Sequence, residues 1–179
     1  MTRHLTVFAL VASMASSAPV NPFIIGEKLP ELKGEYLTGR AAVLPADASG
    51  KVALLLFGFT YQSRFPVEAW VKRFRQDFGN QPKVTFYEVP MIGGMARMGK
   101  WFIDSGMRKG TPKADQENAI TVYGGTNRWK QRLGVTSEDL AYLVVLDPNG
   151  NIVWRDAGPL DETKYQTLAN KVRELNPKP

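Results

Sequence analysis

Cysteine is absent from this chain of 179 residues, and histidine occurs once, at position 4. Without cysteine the protein cannot form a disulfide, a thiolate nucleophile, a zinc–thiolate site or an iron–sulfur centre. A Ser-His-Asp triad would have to use His4, which lies in a segment that we expect to be removed. We therefore predict no catalytic residue of these classes, no metal site and no cofactor.

Long apolar runs are absent as well. No stretch beyond the N-terminus reaches 18 consecutive apolar residues, whereas a transmembrane helix needs about 20. We therefore expect a mature chain without a transmembrane span.

The N-terminus has the three parts of a secretory signal. A positively charged start precedes an apolar run at residues 5–12, and small residues follow. We place the cut after Ala15, with a cut after Ala18 as the later alternative. Residues 1–15 are therefore predicted to be a signal peptide, and the protein to be exported to the periplasm or secreted. A mitochondrial presequence is one alternative, since the first acidic residue is Glu27; an ordinary buried N-terminal segment is the other.

Basic residues outnumber acidic ones by 23 to 17, which gives a formal net charge of +6. Residues 91–133 hold eight basic and three acidic residues, so the excess is concentrated in the middle of the chain. This asymmetry predicts a basic face for an acidic partner, with ordinary solvated helix faces as the alternative. Nucleic acid is not predicted as a partner, because no nucleic-acid motif is present.

Strands and helices alternate along the chain, which predicts an α/β fold with parallel crossovers and a covered, mixed sheet. Residues 16–36 contain several proline and glycine breakers and are predicted to be irregular, ahead of one domain over residues 37–179. The predicted strands cover residues 38–44, 51–59, 83–89, 120–123, 140–146 and 151–155. The predicted helices cover residues 63–78, 91–106, 126–133 and 161–175, with Ser63, Thr126 and Asp161 as caps.

The second of these helices would carry a methionine-rich face. Its apolar residues recur at helical spacing: Met91, Ile92, Met95, Met98 and Phe102. We expect this face either to pack against the sheet or to form an adaptable binding surface, since methionine repacks easily. Trp101 could join either surface.

The stretch from Gly50 to Phe65 reads GKVALLLFGFTYQSRF, and residues 143–153 read LVVLDPNGNIV after an LGV at 133–135. This order of pieces resembles the redoxins, the thioredoxin-like group that includes peroxiredoxins. The resemblance covers most of residues 26–175. It implies a thioredoxin-like α/β/α sandwich with a mixed central sheet, a C-terminal β-hairpin and a final helix.

The chain departs from the redoxin pattern at the positions that carry its chemistry. Gln62 and Phe65 stand where a Cys-x-x-Cys pair would be, and Ala141, or the neighbouring Leu140, stands where the group has a cis-proline. A cis bond before a residue other than proline costs about 2.5–4 kcal/mol, so we expect a trans bond before Ala141. Thiol exchange requires a thiolate, and cysteine-dependent oxidoreductase or peroxidase activity is therefore excluded.

The second half resembles the mitochondrial ATP synthase assembly factor family, a thioredoxin-like group that acts on a membrane subunit of the synthase. The similar blocks are VPMI at 89–92, MRKG at 107–110, ITVYG at 120–124, YLVVLD at 142–147 and IVWRDAG at 152–158. This resemblance implies a role as an assembly factor or chaperone.

The start of the first long helix is the candidate site, because backbone N–H groups and the helix dipole favour an anion there. A structural cap with a solvated arginine is the alternative. Together with the basic Met/Trp segment, this predicts one binding surface. Its residues are Tyr61, Gln62, Ser63, Arg64, Arg97, Trp101 and Arg108.

Two functions are compatible with this surface. The first is a binding or assembly protein that holds an acidic or membrane-associated protein partner. The second is a non-thiol enzyme, for example a hydrolase, that works in the same cleft. A deep pocket with a perturbed carboxylate or lysine beside Gln62 would favour the enzyme, and a shallow apolar groove would favour the binding protein.

Overall fold

The computed structural model describes residues 21–176, apart from the side chains of residues 95–97. The predicted signal peptide at 1–15 and both of its cut sites lie outside the described residues.

Seven strands form one sheet in the order β2-β1-β5-β4-β3-β6-β7. The strands are β1 (Leu32–Tyr36), β2 (Ala41–Leu44), β3 (Val52–Gly58), β4 (Val84–Ile92), β5 (Ile120–Tyr123), β6 (Tyr142–Leu146) and β7 (Ile152–Ala157). The helices are α1 (Arg64–Phe78), α2 (Lys100–Gly110), α3 (Thr126–Leu133) and α4 (Glu162–Leu175). The β3–β4 and β4–β5 pairs are parallel and the other pairs are antiparallel, which confirms the predicted mixed sheet.

Strand β3 lies at the centre of the sheet, paired with β4 on one side and β6 on the other. Its residues Val52–Phe57 are all at most 1% exposed. An uninterrupted apolar strand is stable only where both faces of the sheet are covered. The predicted strand at 51–59 is therefore confirmed, with one residue less at each end.

The helices cover the two faces of the sheet unequally. Leu54 and Leu56 of β3 point to the face that α1 and α4 cover, where Trp70 and Tyr165 are fully buried. Phe57 points to the other face, which α3 and the N-terminal segment cover. The periodic apolar faces predicted for α1 and α4 are both buried as expected.

The predicted irregular segment 16–36 contains a strand, so that prediction was wrong for residues 32–36. In β1, Leu32 and Tyr36 are buried on one face of the sheet. Gly34 between them lies against β5, where a Cβ atom would be 2.6 Å from the Cγ2 of Ile120. The close approach of the two strands therefore requires glycine at this position, and the glycine does not interrupt strand β1.

The predicted helix at 91–106 was also wrong at both of its ends. Met91 and Ile92 extend β4 and pair with Val122 and Tyr123 of β5, so the strand continues past Pro90. A 3₁₀ helix over Gly94–Gly99 follows, and α2 begins only at Lys100.

Cap predictions had mixed outcomes. The Asp161 carboxylate accepts a hydrogen bond from the backbone N–H of Lys164 at 2.9 Å, as predicted for the start of α4. Thr126 is not the cap of α3: Gly125 precedes the helix with a φ of 67°, and no side chain bonds to its free N–H groups. Gly134 ends α3 with a φ of 68°, as expected for glycine after a helix.

Candidate functional site

The head of α1 lies where β3 ends. The parallel strands β3, β4 and β5 point the same way, so their carboxyl ends share one edge of the sheet. Residues 59–63 lead from β3 into α1, and Gln62 lies two residues before the first residue of the helix, near the helix start that the sequence predicted.

Ser63 is a structural residue and not part of a binding surface, which corrects the prediction. Its side chain is buried, with only 1% of the residue exposed. Its Oγ accepts hydrogen bonds from the backbone N–H of Phe59 at 3.0 Å and of Thr60 at 3.2 Å. The same hydroxyl donates to the Thr60 carbonyl at 2.7 Å. Ser63 therefore fixes the loop between β3 and α1, and its side chain does not bond to the helix N–H groups as a cap would.

Gly58 makes this arrangement possible. A Cβ atom at position 58 would lie 2.7 Å from the Ser63 Oγ, which is closer than two such atoms can approach. Strand β3 therefore ends on a glycine because the serine hydroxyl occupies the space beside it.

The residues around Ser63 point into solvent. Tyr61 is 68% exposed and Phe65 is 53% exposed, and their rings meet edge to face at a centroid distance of 5.9 Å. The Arg64 guanidinium lies 6.0 Å from the Tyr61 ring centroid and also pairs with the Glu68 carboxylate. Gln62 is exposed beside them. We call these residues, Tyr61, Gln62, Arg64 and Phe65, the α1 patch.

Phe65 belongs to the α1 patch although the sequence analysis treated it only as a replacement for a thiol. The sequence did contain a signal that Phe65 is exposed, namely its position in the first turn of an amphipathic helix. It lies off the face that carries Trp70 and Phe74, so it must point away from the sheet.

Helix α2 exposes its large apolar side chains. Met98, just before the helix, is 87% exposed, Trp101 is 74% exposed and Phe102 is 78% exposed. The rings of Trp101 and Phe102 meet edge to face at 5.5 Å. Of the two alternatives given for Met98 and Phe102, packing on the sheet is therefore wrong, because both side chains face solvent. We call Met98, Trp101 and Phe102 the α2 patch.

The side of α2 that faces the sheet is polar. Asp104 is the buried residue of this helix, 3% exposed. Its carboxylate accepts a hydrogen bond from the Tyr123 hydroxyl at 2.6 Å and from the Lys100 ammonium at 2.5 Å. Burial raises the pKa of Tyr123, and its hydrogen bond to Asp104 raises that pKa further. Sequence reasoning missed this cluster, although Lys100 and Asp104 stand four residues apart, the spacing of a helical ion pair.

Arg108 also helps to hold α2 in place. Its Nε donates a hydrogen bond to the Leu37 carbonyl at 2.7 Å, and its terminal nitrogen lies 4.0 Å from a Glu35 carboxylate oxygen. Part of its predicted binding capacity is therefore used within the protein. The side chain of Arg97, another predicted site residue, lies outside the description of the structure.

The predicted site residues thus form two groups. The α1 patch follows β3, whereas α2 makes its polar contacts with residues of β1 and β5, across β4 in the sheet order. One surface was predicted, and its described residues lie on two elements: Tyr61, Gln62 and Arg64 at the start of α1, and Trp101 and Arg108 on α2.

Glu88 of β4 is a half-buried carboxyl group on the α1 side of the sheet. Burial raises the pKa of Glu88 to about 7, against the effect of Arg75, and the nearby carboxylates of Glu68 and Asp115 raise it further. A glutamate inside an otherwise apolar strand was the available signal, and the sequence analysis did not use it.

A polar cavity of about 330 Å³ lies at the other end of β3 and β4. Within its lining, Arg40 pairs with Glu117 at 2.8 Å, and the Tyr36 hydroxyl donates a hydrogen bond to Asp47 at 2.8 Å. This cavity is not beside Gln62, where a pocket would have favoured an enzyme. Its lining residues are Tyr36, Arg40, Asp47, Lys51, Thr85, Tyr87, Glu117 and Asn118.

Within residues 21–176 no three His, Cys, Asp or Glu side chains are grouped so that they could hold a metal ion. No helix in the same range combines the length and the apolar character needed to cross a bilayer.

Comparisons with known proteins identify the fold. No protein-family model matches the chain, and no curated protein matches it by sequence. A protein assigned as the thiol:disulfide interchange protein DsbE of Chlorobium tepidum superposes with a TM-score of 0.56 at 17% identity, covering 86% of this chain and 99% of that one. An uncharacterized conserved protein of Geobacillus kaustophilus gives 0.59 at 16% identity, covering 89% and 87%. The exposed lipoprotein thioredoxin Etrx1 of Streptococcus pneumoniae gives 0.51 at 16% identity, covering 79% and 99%.

The chain therefore has the thioredoxin-like fold, as the first resemblance implied, and it departs from the cysteine-containing members by having no cysteine. The peptide bond before Ala141 is trans, as expected. The second resemblance, to the ATP synthase assembly factors, stays a hypothesis.

Replacing Ser63 should destabilise the fold. Ser63→Ala leaves the N–H groups of Phe59 and Thr60 without their acceptor, so we expect the free energy of unfolding to fall by about 2 kcal/mol. Urea denaturation measures this change. Ser49→Ala, at an exposed serine, is the control and should stay within about 0.5 kcal/mol of the parent. Equal stability of the two variants would contradict the structural role of Ser63.

The stability of the protein should also depend on pH through Glu88. Its pKa is about 7 in the folded protein, above the ordinary 4.5 of the unfolded chain. The contribution of Glu88 to the free energy of unfolding is therefore fully present below pH 4.5 and is lost as the pH rises through about 7. At pH 8, Glu88→Gln should be more stable than the parent by up to about 3 kcal/mol, with little difference at pH 4.

Urea denaturation at several pH values tests this difference. Glu31→Gln, which removes an exposed carboxylate, should follow the parent. If the free energy of unfolding changes with pH in the same way for Glu88→Gln and the parent, then Glu88 has an ordinary pKa and the prediction is wrong.

Proposed function

We propose that this protein is an exported, non-redox binding or assembly protein with a chaperone-like role. It holds an acidic or membrane-associated protein partner through the α1 patch and the segment around α2. It works without a cofactor, and it uses the thioredoxin-like fold as a scaffold.

The observation that carries this proposal is the exposure of the α1 patch. In cysteine-containing members of the fold the helix at this position begins with the reactive thiols, whereas here Tyr61 and Phe65 present 68% and 53% of their surfaces to solvent. Exposed aromatic residues next to an arginine are typical of binding hot spots, because they lose much water-accessible apolar surface when a partner covers them.

Charge supports an acidic partner. The Glu68 carboxylate pairs with Arg64 and reduces its excess charge, but the excess of basic residues over positions 91–133 remains. Such a field speeds association with an acidic surface and adds specificity more than affinity.

Export is part of the proposal because of the N-terminal pattern, and a mitochondrial location is the alternative. The similarity to an exposed lipoprotein thioredoxin supports export only through the shared fold.

Thiol chemistry is excluded by composition, since the sequence has no cysteine. The purified protein should therefore give no turnover in insulin-reduction or peroxide assays that depend on a protein thiol. Clear turnover by the pure protein would contradict a non-redox role.

Capture of partners from the native compartment tests the α1 patch. Arg64→Glu reverses a charge in the α1 patch and should reduce the recovery of the specific partner at least tenfold. Lys72→Glu makes the same change at an exposed position two turns further along α1 and is the matched control. Equal recovery with both variants would remove the α1 patch from the proposed surface.

A non-thiol enzyme is the second candidate, and Glu88 is the observation that favours it. A carboxyl group with a pKa of about 7 suits general acid–base catalysis near neutral pH. Arg64 and Glu68 of α1 both influence this pKa, so Glu88 lies under the first turns of α1. A hydrolytic activity that Glu88→Gln abolishes, in a variant that stays folded, would favour the enzyme.

A further inference from the structure

Helix α2 is amphipathic, but its polar side faces the sheet and its apolar side faces solvent, which is the reverse of an ordinary surface helix. Its sheet-facing side is held by polar contacts: Asp104 with Tyr123, Lys100 with Glu35 at 3.2 Å, and Arg108 with the Leu37 carbonyl. Its outer side carries the α2 patch, whose three members are 74–87% exposed. A helix that points tryptophan and phenylalanine into water loses free energy unless another apolar phase covers them.

The outer side of α2 also lacks negative charge. Asp104 is the one acidic residue between positions 89 and 114, and it is buried against Tyr123 and Lys100. Lys109 and Lys113 are exposed at the end of the helix and just beyond it. The outer side therefore combines apolar rings with positive charge only.

The α2 patch by itself is too small to form a specific interface with a protein partner. A specific protein interface covers about 800 Å² on each partner. Fully buried aromatic side chains contribute roughly 150–250 Å² each, so two exposed aromatics and a methionine fall short of that area. The same residues are sufficient for a bilayer interface, which takes up aromatic side chains flanked by lysine and arginine.

We propose that α2 seats this protein on an anionic lipid surface, with Trp101, Phe102 and Met98 inserted at the headgroup boundary and Lys109 and Lys113 facing the headgroups. This inference rests on the proposed function and divides its surface, because α2 contacts the lipid beside a membrane-associated partner while the α1 patch contacts the partner itself. The α1 patch then stays free for the protein partner.

Co-sedimentation with vesicles tests this inference. The probe is a set of vesicles of phosphatidylcholine with 30% phosphatidylglycerol, a composition of about one anionic lipid in three, and pure phosphatidylcholine vesicles serve for comparison. The full-length protein should bind the anionic vesicles, and Trp101→Ser/Phe102→Ser should reduce partitioning at least tenfold. Ile24→Ser/Ile25→Ser removes two exposed apolar side chains elsewhere and should bind like the parent.

Charge gives an independent arm of the experiment. Each basic residue near an anionic surface contributes about a fivefold gain in binding, so Lys109→Gln/Lys113→Gln should weaken binding about 25-fold. Added salt should weaken the binding of the parent to anionic vesicles, because it screens this attraction. Circular dichroism confirms that each variant is folded.

Three results would overturn the inference. The first is that the parent binds anionic and neutral vesicles equally, and the second is that Trp101→Ser/Phe102→Ser binds anionic vesicles as the parent does. In the third, this double variant abolishes capture of the protein partner without vesicles, which assigns the α2 patch to the protein interface. A different result would contradict the proposed function and leave this inference standing: Arg64→Glu would capture the partner as the parent does, and α2 would still bind the vesicles.

Discussion

Six consecutive apolar residues of β3, Val52–Phe57, are almost completely excluded from water, and the rest of the structure depends on this burial. A strand that is apolar on both faces forces helices to cover both sides of the sheet. Strand β3 must also end before the chain can leave the core. It does so at Gly58, where the Ser63 hydroxyl holds the turn and sets the direction of α1. The exposed position of Tyr61, Arg64 and Phe65 follows from that turn.

The site at the head of α1 keeps the geometry of a thioredoxin-like fold without its chemistry. The hydroxyl of Ser63 points inward and bonds to backbone groups, and the side chains that point outward are aromatic or cationic. Such a surface can bind a partner but offers no nucleophilic sulfur. Glu88 beneath α1 is the group whose protonation state changes near neutral pH, because burial in the sheet favours its neutral form.

Particular residues show why the sequence predicted some features and missed others. The apolar runs of β3 and β6 and the periodic faces of α1 and α4 were predicted because each pattern is long and local. Strand β1 was missed because Gly34 resembles a loop residue until β5 packs against it. The sequence left open whether the apolar side of α2 packs on the sheet or binds a partner, because periodicity shows that a helix has an apolar face but not which way that face points. The buried side chain of Asp104 bonds to Tyr123 of strand β5 and to Lys100 of the same helix, so the opposite, apolar side of α2 faces solvent.

The sequence by itself determined that no thiol chemistry is possible, since composition alone excludes it, and it indicated a mixed sheet covered by helices. Only the tertiary structure decided that Ser63 is buried, that Glu88 titrates near neutral pH and that α2 presents its aromatic residues to solvent. The physical reason is that these three properties depend on neighbours supplied by other strands and helices. Burial, hydrogen bonding and local charge are set by those neighbours, and the local pattern of residues does not contain them.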